Sequence, residues 1–95
     1  MKNVFIKYNP YRLETTLTVN NRPLKQNSRI AEQIEKGSRL QEWIEDLPRF
    51  LVDEFNDTKF DIKFHGTAAD YDDLMDVFSQ ACQEKKNLSV RIDRI

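Results

Sequence analysis

The chain has 95 residues, 33% of them charged and 11% aromatic, which predicts one domain spanning residues 1–95 with a small core inside a charged surface. Its single cysteine, Cys82, excludes an internal disulfide, and its two glycines are too few for either common glycine-rich phosphate loop. No segment has the apolar length of a signal peptide or a membrane helix, so a cytoplasmic location is expected.

The formal net charge of −1 conceals an uneven distribution along the chain. Residues 1–31 carry six bases and one acid, whereas residues 42–76 carry eleven acids and three bases. Two interpretations are open. Either the two charged regions partly neutralise each other within the domain, or they leave a bipolar surface that steers a charged partner or favours head-to-tail self-association.

The first two predicted elements are strands. Residues 4–8 are rich in aromatic and β-branched side chains, and residues 11–19 alternate between apolar and polar side chains, as a half-buried strand does. Asn9-Pro10 separates them and favours a turn, so we expect an antiparallel hairpin.

The middle of the chain is predicted to be helical. A short helix after Asn27 or Ser28 is one interpretation of residues 24–37, and a loop is the other. A capping box of Ser38 and Gln41 then predicts a helix whose apolar positions continue to residue 55. Pro48 interrupts this pattern, so we expect a kink or two short helices, with Pro48 also suited to the first turn of the second.

The last part of the chain predicts a strand, a helix and a strand. Residues 60–64 and 88–92 alternate as strands, and residues 71–82 carry an apolar stripe at helical spacing after a capping box of Thr67 and Asp70. The element order ββααβαβ predicts an α+β fold, with a four-stranded mixed sheet and helices packed on one face.

No metal or cofactor is expected. One histidine and one cysteine cannot form a zinc tetrahedron, and the aspartates of residues 70–76 resemble a calcium loop only in composition. Helix capping explains those aspartates better, because the amino end of a helix favours anions. Cys82 and Trp43 both lie on apolar helical stripes, which favours core positions over a reactive thiol or a binding contact.

Two candidate sites stand out. The turn formed by His65, Gly66 and Thr67 precedes a capped helix, so its residues are candidates for an anion site; the alternative is a histidine that only stabilises the turn. The second candidate is an acidic interaction surface for a basic partner, formed by Glu45, Asp46, Asp53, Asp70, Asp72, Asp73 and Asp76. Bases and aromatics interleave in residues 1–12, but the acidic helices argue against nucleic-acid binding.

Three segments carry a family resemblance: IKYNPYRLETTLTVN, RLQEWIEDLPRFLVDEFND and FDIKFHGTAADYDDL. Together they resemble the N-terminal region of some bacterial dynamin-like GTPase proteins, where a small accessory domain precedes the GTPase domain. The GTPase motifs are absent from this chain, so the resemblance transfers no catalytic or nucleotide-binding residue. It implies a non-enzymatic interaction or regulatory module. The alternatives are a small anion-binding domain and a free-standing subunit that self-associates.

Overall fold

The computed structural model describes all residues from 1 to 95. It contains five strands, three α-helices and two short 3₁₀ helices. The strands are β1 (Lys2–Asn9), β2 (Glu14–Val19), β3 (Arg22–Pro23), β4 (Lys59–His65) and β5 (Ser89–Arg94). The α-helices are α1 (Arg29–Glu35), α2 (Leu47–Phe55) and α3 (Ala68–Glu84), and the 3₁₀ helices Leu40–Glu42 and Ile44–Asp46 lie between α1 and α2.

All five strands form one mixed sheet in the order β3-β2-β1-β4-β5. The hairpin strands β1 and β2 are antiparallel, whereas β1, β4 and β5 run parallel to one another. The α+β class and the mixed sheet are confirmed. The prediction of four strands was wrong.

The additional strand is β3, which pairs with β2 at the edge of the sheet. Asn20 and Asn21 have φ values of 51° and 64°, the left-handed pair that closes a tight hairpin turn. The chain therefore folds back at once and places Arg22 opposite Val19. The sequence pattern predicted only that β2 ended here, because two residues are too few to show an alternation.

The connection between β1 and β2 is longer than predicted, since β2 begins at Glu14 and not at residue 11. The Asn9 side chain accepts hydrogen bonds from the backbone N–H groups of Tyr11 (2.9 Å) and Arg12 (3.2 Å). Leu13 adopts a φ of 54°, which redirects the chain into β2. These local hydrogen bonds replace the ladder bonds that an earlier start of β2 would make.

Helix α1 begins as predicted after Ser28, whose hydroxyl accepts from the Ala31 N–H. The capping box predicted for Ser38 and Gln41 is wrong. The carboxylate of Glu42 instead accepts from the Arg39 N–H at 2.7 Å, and the Ser38 hydroxyl donates to the side chain of Gln33.

The long helical pattern up to residue 55 divides into the two 3₁₀ helices and α2, with Pro48 in the first turn of α2. This is the second of the two expected arrangements, in which the missing proline N–H breaks no helical hydrogen bond.

The core lies between the helices and one face of the sheet. Its members are seventeen buried hydrophobic residues. The strand residues among them alternate with neighbours that point away from the helices and are polar except for Phe5. Trp43, at 1% exposure, belongs to this core, and Cys82 packs against it partly buried. The helices therefore cover one sheet face, as predicted, and the other face stays open. None of the helices has the length and apolar character needed to cross a bilayer.

Candidate functional site

The carboxyl ends of β1, β4 and β5 meet at one end of the sheet, because these strands are parallel. The chain leaves β1 towards β2 and leaves β4 towards β5, on opposite sides. The turns that follow β1 and β4 therefore lie side by side at this end of the sheet. The turn at residues 65–67 lies here.

Thr67 forms the amino end of α3. Its hydroxyl oxygen accepts from the Asp70 N–H at 3.1 Å, and the hydroxyl donates to the Asp70 carboxylate at 2.8 Å. This reciprocal arrangement confirms the predicted cap at Thr67. It also places a carboxylate in the first turn of the helix, where the carboxylate offsets part of the positive end of the helix dipole.

Gly66 occupies a position without space for a side chain. A Cβ atom there would lie 2.7 Å from the ring of Phe64 and 3.1 Å from the Tyr8 carbonyl. The Gly66 carbonyl accepts from Nε of Arg94 at 3.2 Å, which ties the end of β5 to this turn. Glycine therefore allows β1 and β4 to approach closely at their carboxyl ends.

Together these residues line a shallow cleft of about 340 Å³, which we call the strand-end cleft. Its basic side chains come from three strands: Lys7 of β1, His65 of β4 and Arg94 of β5. Tyr11 stands beside it, 90% exposed. Sequence reasoning proposed His65, Gly66 and Thr67 as a site but did not connect Arg94 with them, since only the parallel pairing of β4 and β5 joins residues so distant in sequence.

Asp70 does not belong to an exposed acidic surface. It is only 7% exposed, and besides Thr67 it accepts a hydrogen bond from the Gln41 side chain at 2.8 Å. The same Gln41 amide donates to Asp73 at 2.9 Å. Gln41 therefore joins the first 3₁₀ helix to α3, and Asp70 has a structural position.

The other predicted acidic residues divide into two groups. Asp46 pairs with Arg29 at 3.3 Å and Asp53 with Arg49 at 3.7 Å. The remaining four form no ion pair, and they are Glu45, Asp72, Asp73 and Asp76.

Three ion pairs connect residues 1–31 with residues 42–76: Arg29 with Asp46, Lys25 with Glu54, and the Met1 amino group with Asp57. The two regions thus neutralise each other in part. Four bases of residues 1–31 form no ion pair, so part of the charge separation remains; they are Lys2, Lys7, Arg12 and Arg22.

A groove of about 350 Å³ runs between α3 and the segment from the second 3₁₀ helix into α2. Glu45 and Arg49 lie on one side, and Val77, Gln80 and Glu84 of α3 on the other. Glu45 thus faces α3, the helix that carries Asp72, Asp73 and Asp76. These four residues and Glu84 define the acidic helical face.

The open face of the sheet carries a charged network on β4 and β5. The Lys63 amino group lies 2.8 Å from the Asp93 carboxylate, which also accepts from Nε of Arg91 at 3.1 Å. The hydrogen bond with Asp93 raises the pKa of Lys63, and the same bond lowers the pKa of Asp93. Asp61 Oδ1 lies 3.6 Å from the Lys63 amino group and has no hydrogen-bond partner.

No cluster of three or more histidine, cysteine, aspartate or glutamate side chains is arranged to hold a metal ion. Comparison of the chain with protein families, curated proteins and solved structures finds no match. The resemblance to dynamin-like GTPase proteins therefore stays a prediction.

Proposed function

We propose that this chain is a non-catalytic module that binds a basic segment of a protein partner on the acidic helical face. The observation that carries the proposal is the absence of a cationic partner for Glu45, Asp72, Asp73 and Asp76, although other acids of the chain do form ion pairs. Carboxylates left in this state keep a negative potential over α3, which attracts and orients a positively charged partner.

The groove beside α3 provides apolar surface next to these charges. Val77, Ala81 and Pro48 supply apolar surface along it, and Glu45 and Glu84 lie on its two sides. An extended segment with lysine or arginine beside small apolar residues would contact both kinds of surface. Burial of the apolar part would add affinity that salt does not screen.

Charge reversal on α3 tests the proposal. The variant with Asp72→Lys and Asp76→Lys should bind a fluorescein-labelled peptide of alternating lysine and alanine much more weakly, and binding by the unaltered chain should weaken as salt is added. Both residues are exposed and make no hydrogen bond or ion pair, so the fold should tolerate the changes. Fluorescence anisotropy measures the binding.

The matched control changes Glu32→Lys and Glu35→Lys on α1, which alters the net charge equally at another surface. The control variant should retain most of the binding. Equal loss in both variants would show that only net charge matters, and it would refute the acidic helical face as the site.

From the resemblance to dynamin-like GTPase proteins, we further propose that the module belongs to a larger GTPase-like protein. Immunoblotting of cells that express the native gene, with an antibody against this domain, measures the mass of the natural product. A band near 11.3 kDa would contradict an accessory domain, and a band several times larger would support it.

A second candidate function is anion binding at the strand-end cleft. The convergence of Lys7, His65 and Arg94 from three parallel strands beside the amino end of α3 favours it. Titration with inorganic phosphate should shift the backbone amide signals of residues 65–68. The Arg94→Met variant should reduce those shifts, whereas Arg22→Met, at the opposite edge of the sheet, should not. Unmoved signals at millimolar phosphate would refute this function.

A further inference from the structure

The last strand of the sheet has an open edge. β5 pairs with β4 along Ser89–Arg94, and no further strand lies beside it. The opposite edge ends in the two-residue β3, where Pro23 lacks an N–H, a common way of protecting an edge. β3 covers only Thr18 and Val19 of β2, so residues 14–17 also lack an outer partner, and the six residues of β5 form the longer open edge of the sheet.

The backbone groups of β5 alternate between its two sides. The N–H of Ser89 donates to the Thr58 carbonyl and that of Ile95 to the Phe64 carbonyl, both at 2.8 Å. In a parallel ladder, every second residue points its backbone groups to the same neighbour. The N–H groups of Val90, Ile92 and Arg94 therefore point outwards, where no strand receives them.

We propose that two copies of this chain pair antiparallel through β5, with Ile92 of one copy opposite Ile92 of the other. Residues whose backbone groups face outwards must pair with each other, and this register satisfies that condition. Val90 then lies opposite Arg94 of the second copy. The two five-stranded sheets would join into one continuous sheet.

Charge selects this register. With Ile92 at the centre, Arg91 lies directly opposite Asp93 of the second copy on the open sheet face. These two residues form a pair without backbone hydrogen bonds, the kind in which side chains are closest. A shift that centres the pairing on Arg91 places two arginines opposite each other, and a shift that centres it on Asp93 places two aspartates together. Like charges in these positions are destabilising.

The pairing also extends the charged network of each copy. Lys63 lies beside Asp93 and Asp61 beside Arg91 across β4 and β5. In the joined sheet, one row would run Lys63, Asp93, then Arg91 and Asp61 of the second copy, with signs that alternate without interruption. The symmetry of the pair repeats this row once in the other direction. A second copy is therefore the partner whose charges match the edge.

One contact of the single copy competes with this pairing. The Tyr71 hydroxyl donates to the Ile92 carbonyl at 3.1 Å, and this carbonyl faces the open edge. A backbone carbonyl has two lone pairs, so it accepts a second bond from the other copy. Removal of the hydroxyl by Tyr71→Phe should nevertheless strengthen association, since it frees the acceptor entirely.

Sedimentation velocity over a concentration series tests the proposal. The unaltered chain should pass from monomer to dimer as its concentration rises. Arg91→Asp alone places aspartates opposite Asp93, and Asp93→Arg alone places arginines opposite Arg91, so each variant should remain monomeric. Circular dichroism shows whether each variant has kept its fold.

An equimolar mixture of the two single variants gives the decisive result. In the mixed pair every charge again lies opposite its counter-charge, so the mixture should form dimers although neither variant does alone. A chain that stays monomeric at millimolar concentration would overturn the proposal, and so would a mixture of folded variants that stays monomeric.

Hydrogen exchange gives an independent readout of the edge. In dilute solution the amides of residues 90, 92 and 94 should exchange quickly, and those of residues 91 and 93 slowly. At high concentration residues 90, 92 and 94 should become protected as well. Dimers without this change would show an interface elsewhere and would refute pairing through β5. The proposal is independent of the acidic helical face, which peptide binding tests separately.

Discussion

At the residue scale, Gly66 allows β1 and the end of β4 to approach closely. A Cβ at this position would lie 2.7 Å from the ring of Phe64, which is fully buried and cannot swing out. Sequence reasoning placed Gly66 in a turn but could not detect the close approach of the Tyr8 carbonyl, because Tyr8 lies on another strand.

The Gly66→Ala variant should therefore lose about 1–3 kcal/mol of unfolding free energy, the usual cost of overpacking. Urea denaturation followed by circular dichroism measures the loss. An unchanged midpoint would show that the Phe64 ring moves without cost.

The Lys63–Asp93 hydrogen bond makes stability depend on pH. The bond lowers the pKa of Asp93 below 3.8 and raises that of Lys63 above 10.5. A carboxyl group whose pKa is lowered by folding stabilises the fold at pH values above its pKa in the unfolded chain. This contribution is lost as the pH falls through its pKa in the folded chain. A lysine whose pKa is raised by folding stabilises the fold at pH values below its pKa in the unfolded chain. This contribution is lost as the pH rises through its pKa in the folded chain.

The difference in unfolding free energy between the unaltered chain and Asp93→Asn should accordingly be constant around neutral pH. It should shrink below about pH 3.8 and again above about pH 10.5. Thermal unfolding at a series of pH values measures it. Parallel curves over the entire range would contradict this account of the ion pair.

At the element scale, α2 ends at a single left-handed residue. Asn56 has φ 47° and ψ 46°, the conformation that glycine adopts readily and asparagine tolerates. The apolar pattern in the sequence also ends at residue 55, which agrees with the end of α2 at Phe55.

Asn56→Ala should cost about 1 kcal/mol, since a Cβ without a polar group is strained here. Asn56→Gly should leave stability nearly unchanged. Thermal melts of both variants make the comparison. An equal loss in both would show that the asparagine side chain is needed for another contact.

The helix-like apolar spacing between residues 40 and 55 illustrates the limit of periodicity. The pattern identified the residues that face the core, including Leu40, Ile44 and Leu47, and all three are buried. It did not reveal the 3₁₀ helices, since buried positions three or four apart suit both helix types.

At the scale of the whole molecule, one core connects the helices to the sheet. Trp43 is the single tryptophan, lies in a 3₁₀ connection and contacts a cluster that includes strand and helix residues. Its fluorescence therefore reports on packing between the two layers.

Unfolding by urea should give the same midpoint by Trp43 fluorescence and by far-ultraviolet circular dichroism, because the two layers share one core. Fluorescence should shift to longer wavelength as Trp43 enters water. Two separate midpoints would show that the helical layer detaches before the sheet unfolds.

The sequence by itself determined the local features of this protein. Alternation identified the buried faces of the strands, Ser28 and Thr67 marked the beginnings of α1 and α3, and Pro48 marked a boundary. These features depend on contacts within a few residues of the chain, so a pattern in the sequence is sufficient to predict them.

Only the tertiary structure decided which distant residues meet. It placed β4 beside β1, brought Lys7, His65 and Arg94 to one cleft, buried Asp70 under Gln41 and left the edge of β5 open. Strand pairing over long sequence separations depends on the packing of the entire core, to which every element contributes. A local sequence pattern does not specify which strands pair, because each half-buried strand would suit several neighbours equally well.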